Sequence, residues 1–153
     1  AKRVTLSHEL NKGQINDLID AYQKENGGLP SLEMSVSGRA PLMFTKYCPM
    51  KKMDPCSICR NKSYVIRDEH GTFPIISHDD CTTTILNSRT LNLLDELPGM
   101  TGIEAFRLSF TVESKDQVIK TIRDAQGKLN GTASKSVFNQ KKDTRGHFNK
   151  EIV

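Results

Sequence analysis

Four cysteines constrain this chain more than any other feature. They are Cys48, Cys56, Cys59 and Cys81, spaced C-x7-C-x2-C-x21-C, and the 153-residue sequence has no others. Four thiols that include a C-x-x-C pair are what a tetrahedral metal or cluster site takes. The spacing therefore predicts a metal or cluster bound by Cys48, Cys56, Cys59 and Cys81. Zinc and iron–sulfur both accept four thiolates, so ligand type leaves the metal open. His78, three residues before Cys81, is a further donor in reach by sequence, or a plain polar loop residue.

Other uses of four thiols fit less well. Unreactive structural thiols have no reason to cluster. Disulfides are uncommon where the cytosol keeps thiols reduced. A redox C-x-x-C opens a helix after a strand, whereas Pro55-Cys56-Ser57-Ile58-Cys59 reads as loop. No stretch reaches the roughly 18 apolar residues of a membrane span, and no signal-like apolar run follows Ala1-Lys2-Arg3. A cytoplasmic home, without membrane partners, is the expectation.

Net charge is +4, with 36% hydrophobic and 26% charged residues. That suits a globular but polar chain of one-domain length. Basic residues cluster twice. Lys46, Lys51, Lys52, Arg60 and Lys62 surround the cysteines against a single Asp54. Lys135, Lys141, Lys142, Arg145 and Lys150 lie near the end against Asp143. Each run is a solvated surface or a phosphate-binding one, and the first is the candidate nucleic-acid contact.

Residues 3–6 read as a strand. Asn11 and Gln14 form a capping box for a helix with Ile15, Leu18, Ile19 and Tyr22 on one face, ended by Asn26-Gly27-Gly28. Residues 32–36 alternate as a second strand, giving a β-α-β unit of the kind that makes parallel sheet. Residues 41–47 look extended. Residues 63–67 and 72–76 read as hairpin arms around Asp68-Glu69-His70-Gly71, and 82–86 as a strand. Thr90 can cap a short helix with Leu91, Leu94 and Leu97, stopped by Pro98-Gly99. Residues 105–112 read as a strand. Ser114 and Gln117 cap a helix with Val118, Ile122, Ala125 and Leu129 on one face. Beyond Leu129 the apolar pattern stops. The predicted organisation is an α/β domain over 1–129 with a cysteine-rich insertion at 46–81, then a basic tail or lid over 130–153.

Leu42-Met43-Phe44-Thr45-Lys46-Tyr47-Cys48-Pro49 resembles the LM-x-T-x-YCP signature of the U32 peptidase (collagenase-like protease) family. Val4-Thr5-Leu6-Ser7-His8-Glu9-Leu10 resembles its VTLSPEL. Leu32-Glu33-Met34-Ser35-Val36-Ser37-Gly38-Arg39 resembles LEVFVYGR. Ile66-Arg67-Asp68, Gly71 and Phe73-Pro74 are similar to L-x-DR-x-G-x-x-FP. Asn87-Ser88, Arg107-Leu108 and Thr144-Arg145-Gly146-His147-Phe148 continue the series in order. His8, Ser37 and Glu69 stand where the family usually has other residues. The resemblance spans nearly the whole chain.

It implies the C-terminal half of a (β/α) barrel region, a partial barrel-like segment with an inserted cysteine-rich loop and hairpin. The partner is then the remainder of a longer protein, and the segment alone is expected to be inactive. Some members carry a peptidase name. Others resemble factors for oxygen-independent hydroxylation of RNA bases or quinone precursors, in which four cysteines hold an iron–sulfur cluster. No G-x-S-x-G elbow or H-E-x-x-H helix is present here. Glu9, Glu33, Arg39 and Glu113 fall near strand ends, as surface or structural charges or as barrel-end chemistry. The expected function is RNA base modification by a cluster-bearing protein. The alternatives are a peptidase whose catalytic groups lie elsewhere, and a structural zinc module.

Overall fold

The computed structural model describes residues 3–52 and 62–150. They form two compact units, one of residues 3–38 with 91–150 and one of 39–90. The mixture of helix and sheet is that of an α/β protein.

The first unit is built on β2 (Ser31–Gly38). β1 (Arg3–Thr5) and β8 (Ala105–Leu108) run parallel to it on opposite edges, both in register at Glu33. α1 (Lys12–Asn26) connects β1 to β2, so the expected β-α-β unit is present. β7 (Thr90–Asn92) pairs antiparallel with Ser37 and Gly38, beyond the end of β1 on the same edge. A bulge between Ser35 and Ser37 makes this possible. One extra residue switches which edge the following amides face. Glu33 O accepts from Leu6 at 2.8 Å, and Val36 O accepts from Leu93 at 2.8 Å on that same side.

Both helix starts follow from their caps. Asn11 accepts from the Gln14 amide at 2.9 Å, and Gln14 returns the bond at 3.0 Å. Ser114 and Gln117 do the same for α2 (Lys115–Leu129). Gly27 ends α1 with φ 69°, a left-handed cap that favours glycine. Leu32, Met34 and Val36 on β2 form one core with Ile15, Ile19, Leu93, Leu94, Leu97, Ala125 and Phe148. The apolar faces are narrower than periodicity suggests. Leu18 and Tyr22 are exposed, as are Ile122 and Leu129.

Three other segments differ from expectation. Thr90 opens a short strand rather than a helix, and Leu94–Gly99 is a 3₁₀ helix. The six residues contain Pro98, which has no N–H for an α-helical ladder. β8 stops at Leu108 because Glu113 turns back, its Oε2 accepting from Thr111 at 2.6 Å and Val112 at 3.0 Å. Residues 130–150, expected as a tail or lid, lie on the first unit. β9 (Asp143–Thr144) joins the sheet beside β7, and Phe148 is 4% exposed.

The second unit is a four-stranded antiparallel sheet in the order β3-β6-β5-β4. Its strands are β3 (Pro41–Thr45), β4 (Tyr64–Arg67), β5 (Thr72–Ser77) and β6 (Thr83–Leu86). The expected hairpin turn is present. Asp68 Oδ1 accepts from the amides of His70 at 2.7 Å and Gly71 at 2.9 Å, an Asx-type turn. Arg39 donates to the carbonyls of Asn87 at 2.7 Å and Ser88 at 2.6 Å, tying the start of the unit to its end. Among the described residues no helix is long and apolar enough to cross a membrane.

Candidate metal centre

Strand register brings Cys48 and Cys81 to one end of the second sheet. Thr45 ends β3 and pairs with Thr83, which begins β6. Cys48 lies three residues beyond Thr45, and Cys81 two residues before Thr83. Thr83 also pairs with Ser77, the last residue of β5. β4 runs antiparallel to β5, so its first residue, Tyr64, enters from this same end. The two connections that carry cysteines, 46–63 and 78–82, therefore both leave this edge. Cys56, Cys59 and Arg60 lie outside the described residues.

The chain is anchored on either side of each described cysteine. After Cys48 comes a 3₁₀ helix, Pro49–Lys52, whose Met50 is fully buried. Its first bond is donated by the Lys51 amide to Cys48 O at 3.3 Å. Before Cys48, the Tyr47 amide donates to Thr45 Oγ1 at 3.0 Å. Cys81 sits in the β5–β6 turn, closed by His78 N to Thr82 O at 2.9 Å and Cys81 N to His78 O at 3.1 Å. Its φ of 62° is the only positive value at a non-glycine among the described residues. Such a conformation costs about 1–3 kcal/mol and persists where neighbours impose it. Here Asp80 imposes it, accepting from the Thr82 hydroxyl at 2.6 Å and the Thr82 amide at 3.0 Å. These two bonds, the hydroxyl first, hold the Asp80 carboxyl below its ordinary pKa.

Both described cysteines are free thiols, Cys48 half-buried and Cys81 exposed. Among the described residues no three His, Cys, Asp or Glu side chains are gathered as a ligand set. Cys48 and Cys81, at neighbouring strand ends, are two of the four cysteines expected from sequence as ligands. The surroundings fit such a group. Thr83 is 1% exposed, and its buried hydroxyl has no hydrogen-bond partner among the described residues. It occupies the sheet row from which both cysteine-bearing connections leave. His78 is committed otherwise, with Nε2 2.8 Å from Thr84 Oγ1 and its ring against Phe44.

Lys46, Lys51, Lys52 and Lys62 are all exposed, and they flank the same sheet end. The carboxylates and arginine singled out in the sequence lie elsewhere. Glu113 and Arg39 make the structural bonds described above. Glu9 is exposed, its amide bonded to Ser7 Oγ at 3.3 Å. Glu33 lies on the sheet face opposite Leu32 and Met34. There it accepts from Thr5 Oγ1 at 3.0 Å and pairs with Arg107 and Arg3. Periodicity did not reveal the anchors Met50 and Thr83, nor the exposure of Phe44 and Tyr47, because β3 reads in sequence as an ordinary apolar strand. No family profile, curated protein or solved structure matches this chain.

Proposed function

We propose that this chain is the cluster-bearing segment of a U32-like protein that hydroxylates RNA bases. In this reading Cys48, Cys56, Cys59 and Cys81 hold one iron–sulfur cluster. The observation that carries it is the Thr45–Thr83 pairing, which sends Cys48 and Cys81 out of one sheet end beside exposed lysines. An iron–sulfur cluster would supply one-electron redox chemistry at that position. The chain's own residues hold the loop, donate to sulfur from Thr83 and meet phosphate through Lys46, Lys51, Lys52 and Lys62.

The first unit supports a partial (β/α) barrel completed by further β/α units of the same protein. Its helices and core lie on one face of the β1-β2-β8 sheet, and the other face carries Thr5, Glu33 and Arg107. Parallel sheets are ordinarily covered on both faces, and a polar inner face suits a barrel lumen that binds a ligand.

The test is metal analysis with an anaerobic absorption spectrum. A brown protein containing iron and sulfide, with both lost in Cys48→Ser, is the expected result. A colourless protein with stoichiometric zinc would replace the cluster with a structural zinc module. Proteolysis of a casein or gelatin substrate by the intact protein, indifferent to cysteine replacement, would replace both with a peptidase.

A further inference from the structure

We propose that the cysteine-bearing end of the second sheet is a platform for single-stranded RNA, with unpaired bases stacking on Phe44 and Tyr47 and phosphates held by Lys46, Lys51 and Lys52. The proposal rests on the RNA reading above and names the form of RNA that the site takes.

Phe44 is 65% exposed and Tyr47 63% exposed. Both belong to β3 or its continuation toward Cys48, which among the described residues is an edge strand paired with β6 alone. Leu42 and Met43 beside them are also exposed, and a contiguous apolar patch of this kind marks an interaction site. Phe44 is also positioned. Its ring centroid lies 6.1 Å from that of His78 at an interplanar angle of 47°, and the His78–Thr84 hydrogen bond fixes the imidazole. A ring steadied from one side and open on the other gives a base a surface that is already ordered.

The charge nearby selects the partner. Residues 41–52 contain Lys46, Lys51 and Lys52 and no acidic residue. Among the described residues the Asp79-Asp80 pair in the adjacent turn is the nearby negative charge, and the Asp80 carboxylate is engaged by Thr82. An apolar protein strand would find its docking edge lined with cations, whereas a polyanion gains from them. Lysine contacts to phosphate do not distinguish single from double strands. Stacking on an aromatic side chain does, because a base must be unpaired to offer its face. Rings and lysines together point to unpaired nucleotides running past Cys48.

The experiment is fluorescence anisotropy with the full chain, using a short unpaired RNA and the same strand in a duplex, at two salt concentrations. The unpaired strand should bind more tightly. Phe44→Leu and Tyr47→Leu, which keep apolar bulk and remove a ring, should each weaken it by about tenfold and leave duplex binding unchanged. Tyr47→Phe should bind like the parent. Lys51→Gln with Lys52→Gln should weaken both RNAs and flatten the salt dependence. Circular dichroism melting of each variant checks the fold. Equal affinity for both RNAs, or indifference to both ring removals in folded variants, would overturn the platform. So would a dimer by sedimentation that Phe44→Leu dissolves, since a second copy would then cover the strand. Binding kept by metal-free Cys48→Ser separates this proposal from the cluster. Lost strand preference with full metal content ends the platform alone.

Discussion

Lys128 Nζ lies 2.9 Å from Asp95 Oδ1, and the lysine side chain is only 7% exposed. This pair joins α2 to the 3₁₀ helix and directs the segment that follows. Lys128 also donates to Lys135 O at 2.9 Å, and Asp95 accepts from Ser136 Oγ and from the Val137 amide at 3.2 Å. Removing one partner leaves a buried charge uncompensated. Asp95→Ala should therefore lower stability by about 3–5 kcal/mol. The double variant Asp95→Leu with Lys128→Met should lose less, since neither charge remains. Urea unfolding of the single and double variants is the measurement, and a double variant weaker than the single would disprove the coupling.

The same carboxylate sets an acid limb. Burial alone would raise the Asp95 pKa, but the Ser136 hydroxyl, Lys128 and the Val137 amide outweigh it and bring it from 3.8 to about 2. The folded value lies below the unfolded one. The stabilisation is thus complete above 3.8 and lost as pH falls toward about 2. Asp95→Asn should flatten this part of the curve. Urea midpoints measured down through that window test it, and an unchanged acid limb in Asp95→Asn would assign it to other groups.

These contacts mark where sequence stopped being legible. The β-α-β unit, both capping boxes and the Asp68 turn were readable because each is local, with a period or a cap of fixed spacing. The 130–150 segment was not. Ser136, Val137, Arg145 and Phe148 reach residues far along the chain, and such contacts leave no periodic trace. Arg145 illustrates this, since it pairs with Glu96 and lies over Phe138 at 4.8 Å. Nothing local in the sequence marks Lys128 as interior, and only packing against Asp95 makes it so. At the candidate site the ligand inventory was legible, but the convergence of Cys48 and Cys81 depended on strand register. The exposure of Phe44 left no mark there either, because an extended apolar run does not reveal whether its strand lies at an edge.

Gly38 offers a test of backbone crowding at the head of β2. Its φ is 135°, and an added Cβ would lie 2.5 Å from Ser109 O and 2.8 Å from Ser109 Cβ. Ser109 cannot retreat freely, since its amide donates to Ser37 O at 2.8 Å. Gly38→Ala should cost about 1–3 kcal/mol in backbone strain and more through the collision. Gly27→Ala is the control. Its φ is 69° with open space around it, so strain of about 1 kcal/mol should be the whole effect. Thermal melts compare the two, and equal losses would show that Ser109 yields without cost.

On the proposed four-cysteine site, the turn at Cys81 has opposite effects on folding and on metal. A left-handed cysteine costs the apoprotein about 1 kcal/mol relative to glycine, and its φ of 62° is imposed by the Asp80–Thr82 bonds. Cys81→Gly should raise the melting temperature of metal-free protein while abolishing stoichiometric metal. Cys81→Ser should lose the metal without that gain. Asp80→Ala keeps all four thiols but releases the turn, so metal content after purification should fall although no ligand has been removed. Metal per chain and apoprotein melting, measured together, decide the matter. Full metal occupancy in Asp80→Ala would mean that the cysteines organise the turn, rather than the turn placing the cysteine.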